Sequence, residues 1–177
     1  MAATFVVEDG TGLATANSYP SVAEADEHWE NYGTVAERAA WSGSSTADKQ
    51  DALREGTRYI DNRYQGRWRG VRGTTDQALD HPRIRVIDTD GWARDENIVF
   101  TEVKRATIMA ALKVRLGVDL MPDVEGSDVG VSSESVTVGP ISESKTYAGS
   151  KTAFKTYSSI EATLRPILQR SGRRERS

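Results

Sequence analysis

The stretch TEVKRATIMAALKVRL, residues 101–116, decides the fold class of this chain. Its apolar residues recur every three or four positions, which is the spacing of one face of an α-helix. Because they cover more than one face, the pattern predicts a central and largely buried helix. The apolar residues of this helix and its approach are Val99, Val103, Ala106, Ile108, Met109, Ala110, Leu112, Val114 and Leu116.

Other helices are predicted on both sides of this one. The capping-box pattern, a serine or threonine followed three residues later by glutamate, marks a helix start. It occurs at Ser21–Glu24, Thr34–Glu37 and Ser158–Glu161. A longer helix is predicted from about Thr46 to Tyr64, with an inner face made of Leu53, Thr57, Ile60 and Tyr64. The chain is therefore predicted to be mainly α, a small helical bundle.

Two segments break the helical pattern. Residues 66–98 show no sustained helix period and are predicted to form a long irregular loop within a bundle core of residues 1–120. Residues 121–156 are predicted to be a flexible linker and a β-hairpin. The hairpin is indicated by alternation around Val136 and Val138 and by a break at Gly139-Pro140.

Residues 157–177 are predicted to be a docking helix followed by a basic tail. An apolar helix face with arginines beyond it suits a groove with an acidic rim on a partner. A frayed chain end is the alternative. The residues assigned to this C-terminal arm are Ile160, Leu164, Ile167, Leu168, Arg170, Arg173, Arg174 and Arg176.

Composition argues against several classes of function. The chain has no cysteine, and His28 and His81 are its two histidines, so no metal site is expected. No acidic residue is marked out by a catalytic motif, so neither an enzyme nor a cofactor is expected. No apolar run is long enough to span a membrane and no signal peptide is visible, so the sequence predicts a cytosolic protein without a membrane partner.

Charge is distributed unevenly along the chain. The net charge is −3, yet residues 1–61 hold eleven acidic and four basic residues. Residues 62–85 hold six arginines and two aspartates, whereas the two signs balance from residue 86 onward. This asymmetry favours a charged partner or ordered self-association over a free monomer.

The basic stretch YIDNRYQGRWRGVRGTTDQALDHPR, residues 59–83, has two interpretations. As a nucleic-acid site it would neutralise phosphates and stack bases on Trp68 or Tyr64. As a structural or inter-subunit element its arginines would pair with the acidic N-terminal third of the same or a neighbouring subunit, and the overall negative charge favours this view. A third interpretation makes Trp68 an ordinary core residue. The candidate residues are Arg63, Arg67, Trp68, Arg69 and Arg72.

Several motifs, in this order and spacing, resemble one family. They are EDGTGL (8–13), NSY (17–19), YID (59–61), WRG (68–70), QALDHPR (77–83), VK (103–104) with Ala106, Leu120 with PD (122–123), SESV (133–136) and GPI (139–141). The chain is similar to tailed-bacteriophage head–tail connector (adaptor) proteins, a group often labelled as single-stranded-DNA-binding. His81 departs from the family, in which an aromatic residue, usually tryptophan, is expected before Pro-Arg.

The resemblance implies a helical protomer that assembles into a ring, commonly of twelve copies. The ring would attach to the portal protein through the C-terminal arm, extend the DNA channel and provide a docking platform for a stopper or tail-completion protein. Double-stranded DNA would pass through without sequence-specific contact. The expected location is the neck of the virion, and the host cytoplasm during assembly. The alternative function is single-stranded nucleic-acid binding through Arg67, Trp68 and Arg69.

Overall fold

The computed structural model describes residues 4–122 and 155–169, together with the backbone of residues 133–138 and 141–146. The chain divides into two compact units, Met1–Leu120 with Thr156–Ser177, and Met121–Lys155. The C-terminal helix therefore clusters with the bundle, whereas the sequence pattern assigned it to a separate segment.

The first unit is built from helices, so the prediction of a mainly α fold is confirmed. The helices are α1 (Val22–Tyr32), α2 (Val35–Ser42), α3 (Thr46–Tyr64), α4 (Thr101–Arg115) and α5 (Ser158–Leu164), which continues as a 3-10 turn over Arg165–Ile167. None of the described helices has the length and apolar character that a membrane span requires.

The first two capping boxes are present. The Ser21 hydroxyl accepts from the Glu24 N–H at 3.1 Å, and the Glu24 carboxylate accepts from the Ser21 N–H at 2.7 Å. Thr34 and Glu37 repeat the arrangement at the start of α2. These reciprocal bonds satisfy backbone donors that have no partner within the helix.

The third capping box is not formed, so that prediction was wrong. Ser158 is the first residue of α5, Tyr157 is its N-cap, and no side chain caps the helix. The reason is that the Glu161 carboxylate bonds to arginine side chains of another segment instead of to its own helix start.

The centre of the bundle is the contact between α3 and α4. Gly56 lies at their closest approach, since a Cβ at this position would be 2.8 Å from the Thr107 carbonyl oxygen. The predicted inner face of α3 is buried throughout. The prediction that α4 is largely buried is also confirmed, although Leu116 at its end is exposed. Trp29 and Trp41 close one side of this core.

The long segment between α3 and α4 is irregular, as predicted, but it is ordered by two short antiparallel pairings. Strands β1 (Val71–Arg72) and β2 (Arg83–Ile84) pair with Val71 opposite Ile84. Gly70 precedes β1 with a φ of 68°, and a Cβ there would lie 2.3 Å from the Ile84 carbonyl oxygen. The turn between the strands contains a cis peptide bond between His81 and Pro82.

The second unit contains the predicted hairpin. Strands β3 (Ser133–Val138) and β4 (Ile141–Thr146) pair antiparallel, with Ser133 opposite Thr146 and Val138 opposite Ile141. The predicted break at Gly139-Pro140 lies outside the described residues.

Candidate functional site: the arginine segment and its aromatic cluster

Trp68 is a core residue of the protomer. Its side chain is 2% exposed, and its indole N–H donates to the Asp80 carboxylate at 3.0 Å. Its backbone forms a bridge with Leu168, and the Gln169 side-chain amide donates to the Trp68 carbonyl oxygen at 2.9 Å. Among the three interpretations of Trp68, the structure therefore supports the core residue. A base has no face of this ring on which to stack.

His81 occupies the middle of the same aromatic cluster. The centroid of its ring lies 4.7 Å from that of Trp68, 5.3 Å from that of Phe100 and 5.8 Å from that of Tyr19, each pair edge to face. Burial lowers the pKa of His81 to about 3, with a further contribution from the charge of Arg83. The neutral imidazole thus fills the place of the aromatic ring that the family resemblance led us to expect.

Arg63 and Arg67 form ion pairs with one carboxylate on α5. The Arg63 and Arg67 guanidinium groups lie 3.4 and 3.2 Å from Glu161 Oε1. The Arg67 guanidinium also lies over the Tyr64 ring, at 5.1 Å from its centroid. These contacts connect the end of α3 to the C-terminal helix within one chain.

Arg69 and Arg72 bind backbone carbonyl groups. Arg69 Nε donates to the Leu168 oxygen at 3.1 Å, and its Nη1 donates to Ile87 at 2.7 Å and Asp88 at 3.2 Å. Arg72 Nη2 donates to the Gln77 oxygen, although its residue as a whole remains exposed. Arg69 therefore holds three segments together: its own, the C-terminal turn and residues 87–88.

The structure brings the predicted patch residues together, but their partners differ from the expected ones. The expected partner was the acidic N-terminal third of the chain. The described partners are Glu161 near the C-terminus and carbonyl oxygens of the irregular segment. These existing hydrogen bonds compete with phosphate for the guanidinium donors and disfavour phosphate binding.

The apolar residues of the predicted docking arm are not available for docking. Ile160, Leu164, Ile167 and Leu168 are all buried in the protomer, where α5 packs on α4. The sequence pattern correctly predicted an amphipathic helix but did not indicate which surface its apolar face packs against. That surface is the helical bundle of the same chain. The arm's other residues, Arg170, Arg173, Arg174 and Arg176, lie outside the described residues.

Glu8 is a structural residue that the sequence interpretation missed. Its buried carboxylate accepts the N–H groups of Gly10, Gly12 and Leu13, each at 2.9 Å. The loop EDGTGL is thus wrapped around one carboxylate. Gly10 has a φ of 102°, and a Cβ there would lie 2.0 Å from the Asn97 carbonyl oxygen. An acidic residue followed by two closely spaced glycines is the sequence pattern that could have predicted a loop whose backbone N–H groups bind a carboxylate.

Asp61 is a carboxylate whose protonation depends strongly on its surroundings. The Tyr19 hydroxyl donates to it, and the Asp80 N–H donates to its other oxygen at 3.3 Å. Burial raises the pKa of Asp61 to about 7, and the nearby charge of Asp80 acts in the same direction. The carboxyl group is therefore partly protonated near neutral pH.

This raised pKa predicts a specific dependence of stability on pH. In the unfolded chain the pKa of an aspartate is about 3.9, so the folded state binds more protons between about pH 4 and pH 7. The free energy of unfolding is expected to fall as pH rises through this window, by roughly 2–3 kcal/mol between pH 5 and pH 8 from this group. Asp61→Asn should flatten that part of the profile, as measured by urea denaturation at both pH values. An identical slope in the variant and the natural protein would show that Asp61 titrates normally.

One open cleft, with a volume of about 280 Å³, lies beside α1 and α2. It is lined by Asp26, Trp29, Glu30, Arg38, Trp41 and Lys49, among others. Asp26 accepts from the Trp41 indole at 2.7 Å and from Lys49 at 2.8 Å, so its charge is already balanced. Within residues 4–122 and 155–169, no group of three or more His, Asp or Glu side chains is placed to hold a metal ion.

A family model described as "Putative DnaT-like ssDNA binding protein" matches residues 3–176. No curated protein and no solved structure matches the chain.

Proposed function

The chain belongs to this DnaT-like family, and from that premise we propose that it is a structural head–tail connector (adaptor) of a tailed bacteriophage. In this proposal the protein forms a ring, with twelve copies as the working number, that attaches to the portal and extends its channel. It receives a stopper or tail-completion protein on the other side. It has no catalytic role, it is assembled in the host cytoplasm and it ends in the neck of the virion.

The observation that carries the proposal is that the arginine–tryptophan segment makes its contacts within its own protomer. The Trp68 ring is buried, and Arg63, Arg67 and Arg69 are bonded to groups of the same chain. The segment that most resembles a nucleic-acid site therefore serves to hold a protomer together. This use of the segment within its own protomer supports a structural role over nucleic-acid binding.

Charge supports the same proposal. The net charge is −3 and the first 61 residues carry a large excess of acids. Double-stranded DNA that must slide through a channel would be retained by a basic wall, because each neutralised phosphate adds affinity. An acidic protein suits a DNA channel that makes no sequence-specific contact.

Portal attachment can be tested by removing the basic tail alone. A chain ending at Gln169 keeps the buried C-terminal turn but lacks Arg170, Arg173, Arg174 and Arg176. We expect it to be retained about tenfold less on immobilised portal protein than the full-length chain, because the arginines would bind acidic groups on the portal. Its melting temperature should stay within about 2 °C of the natural value. Equal retention of the two chains would show that the tail does not contribute to portal binding.

The family description favours a second candidate, single-stranded DNA binding. If the protein binds oligonucleotides, the structure shows a better stacking residue than Trp68 in Trp92, whose side chain is 74% exposed. Binding of labelled oligonucleotide over a salt series separates the two candidates. Steeply salt-dependent binding that Trp92→Ala abolishes would support this candidate, whereas the connector proposal predicts weak binding that Trp92→Ala leaves unchanged.

A further inference from the structure

We infer that copies of this chain join head to tail, with a short hairpin on one copy docked on the α1–α2 corner of the next. The hairpin tip consists of Ile87, Asp90 and Trp92, and the corner consists of Tyr32, Val35 and Arg105. The inference rests on the proposed ring, because it identifies the two surfaces by which ring neighbours would meet.

The hairpin tip is an ordered and exposed projection. The Asp88 N–H donates to the Trp92 carbonyl at 3.0 Å, and Ile87 is bridged to Ala93. The Asp88 carboxylate accepts the N–H groups of Asp90 and Trp92, both at 3.0 Å, which closes the turn. Ile87 and Trp92 are 56% and 74% exposed. A tryptophan held this far out by a closed turn is an unusual use of the side chain that most often anchors interfaces.

Arg69 explains how the tip is held in place. Its guanidinium donates to the Ile87 and Asp88 carbonyl groups at the base of the hairpin and to the Leu168 carbonyl in the core. The tip is thus fixed to the bundle and need not be ordered when a partner binds, which reduces the entropic cost of association. This gives Arg69 an indirect role at the interface.

The corner is a second exposed patch of matching chemistry. Tyr32 ends α1 and is 66% exposed, and Val35 begins α2 and is 75% exposed. The Arg105 guanidinium from α4 lies 5.0 Å from the centroid of the Tyr32 ring and donates to its hydroxyl at 3.4 Å. Each patch therefore combines an aromatic ring, an aliphatic side chain and one charged group.

The two patches carry opposite charges that are not neutralised among the described residues of one chain, which favours a second copy of the chain as the partner. Neither the Asp90 carboxylate at the tip nor the Arg105 guanidinium at the corner takes part in an ion pair within the described part of the chain. The tip supplies an acid where the corner supplies a base. Their exposure also shows that the two patches do not cover each other within one chain.

A head-to-tail contact requires two different patches that complement each other, and opposite charges contribute to that here. An isologous dimer would use one self-complementary patch, whereas a ring needs two patches that complement each other. Tryptophan, tyrosine and arginine are the residues that most often dominate binding energy at interfaces. All three occur here, as Trp92, Tyr32 and Arg105.

Cross-linking tests this contact cleanly, because the chain has no cysteine of its own. Ala93→Cys places a thiol beside Trp92, and Ala36→Cys places one beside Val35, so the proposed contact residues stay intact. With a short bis-maleimide, a mixture of the two single variants should give a covalent dimer, while each variant alone should give no covalent product. The double variant should give a ladder of oligomers. Self-linking of either single variant, or a double variant that stops at a dimer, would overturn the head-to-tail contact.

Affinity measurements test the residues themselves. Trp92→Ala is expected to lower the self-association constant more than tenfold in sedimentation, with Leu116→Ala, also at an exposed apolar residue, as the unchanged control. Asp90→Lys and Arg105→Glu should each weaken association, and their combination should restore it. If the full-length protein forms rings on the portal but fails all of these tests, the inferred contact is wrong and the proposed function stands. If no ring forms at all, the proposed function is wrong.

Discussion

A chain that ends at Thr156 is expected not to fold. The missing segment supplies four buried apolar side chains, and burying each is worth about 1.5–3 kcal/mol relative to exposure. The sum, about 6–12 kcal/mol, is comparable to the 5–15 kcal/mol by which a typical domain is stable. The loss also leaves Arg63 and Arg67 without Glu161. Circular dichroism should show no cooperative thermal transition in the truncated chain.

The matched control for this truncation is the chain ending at Gln169. It retains every buried residue of α5 and of the turn that follows it, so it should unfold cooperatively at the natural temperature. If the chain ending at Thr156 melted like the control, α5 would be a dispensable arm and its observed packing would contribute no stability.

Trp68→Ala is expected to lower the free energy of unfolding by about 3–5 kcal/mol. The substitution empties the space beside His81 and leaves the Asp80 carboxylate without the indole N–H that donates to it. Trp68→Phe should cost less, because the ring packing is partly kept while the hydrogen bond is lost. Urea denaturation measures both values.

The surface variant Arg58→Ala is the control, since its side chain is 63% exposed and pairs with Glu55 one turn away. It should change the free energy of unfolding by less than about 0.5 kcal/mol. A Trp68→Ala protein with natural stability and reduced oligonucleotide affinity would contradict the core assignment and support base stacking.

Local patterns were sufficient to predict the helical part of the fold. The limits of α3, the inner face of α3 and the first two capping boxes depend on residues three or four apart, and these interactions form within one helix. The hairpin over residues 133–146 was also visible, because a Gly-Pro break between alternating residues is a local signal.

The candidate site could not be predicted in the same way, because its contacts are far apart in the chain. Glu161 pairs with Arg63 and Arg67 across more than 90 residues, and no periodicity reports such a contact. For the same reason the apolar face of α5 could be assigned to a partner as easily as to its own bundle. Trp68 and Trp92 both sit in irregular segments, and composition alone did not show which is buried and which is exposed.

The most direct test of the connector proposal is electron microscopy of purified portal protein mixed with this chain. The proposal predicts a closed ring of the protein seated coaxially on the portal, with its channel in line with that of the portal. Portal particles without added density, from a mixture in which this protein remains unbound, would contradict it.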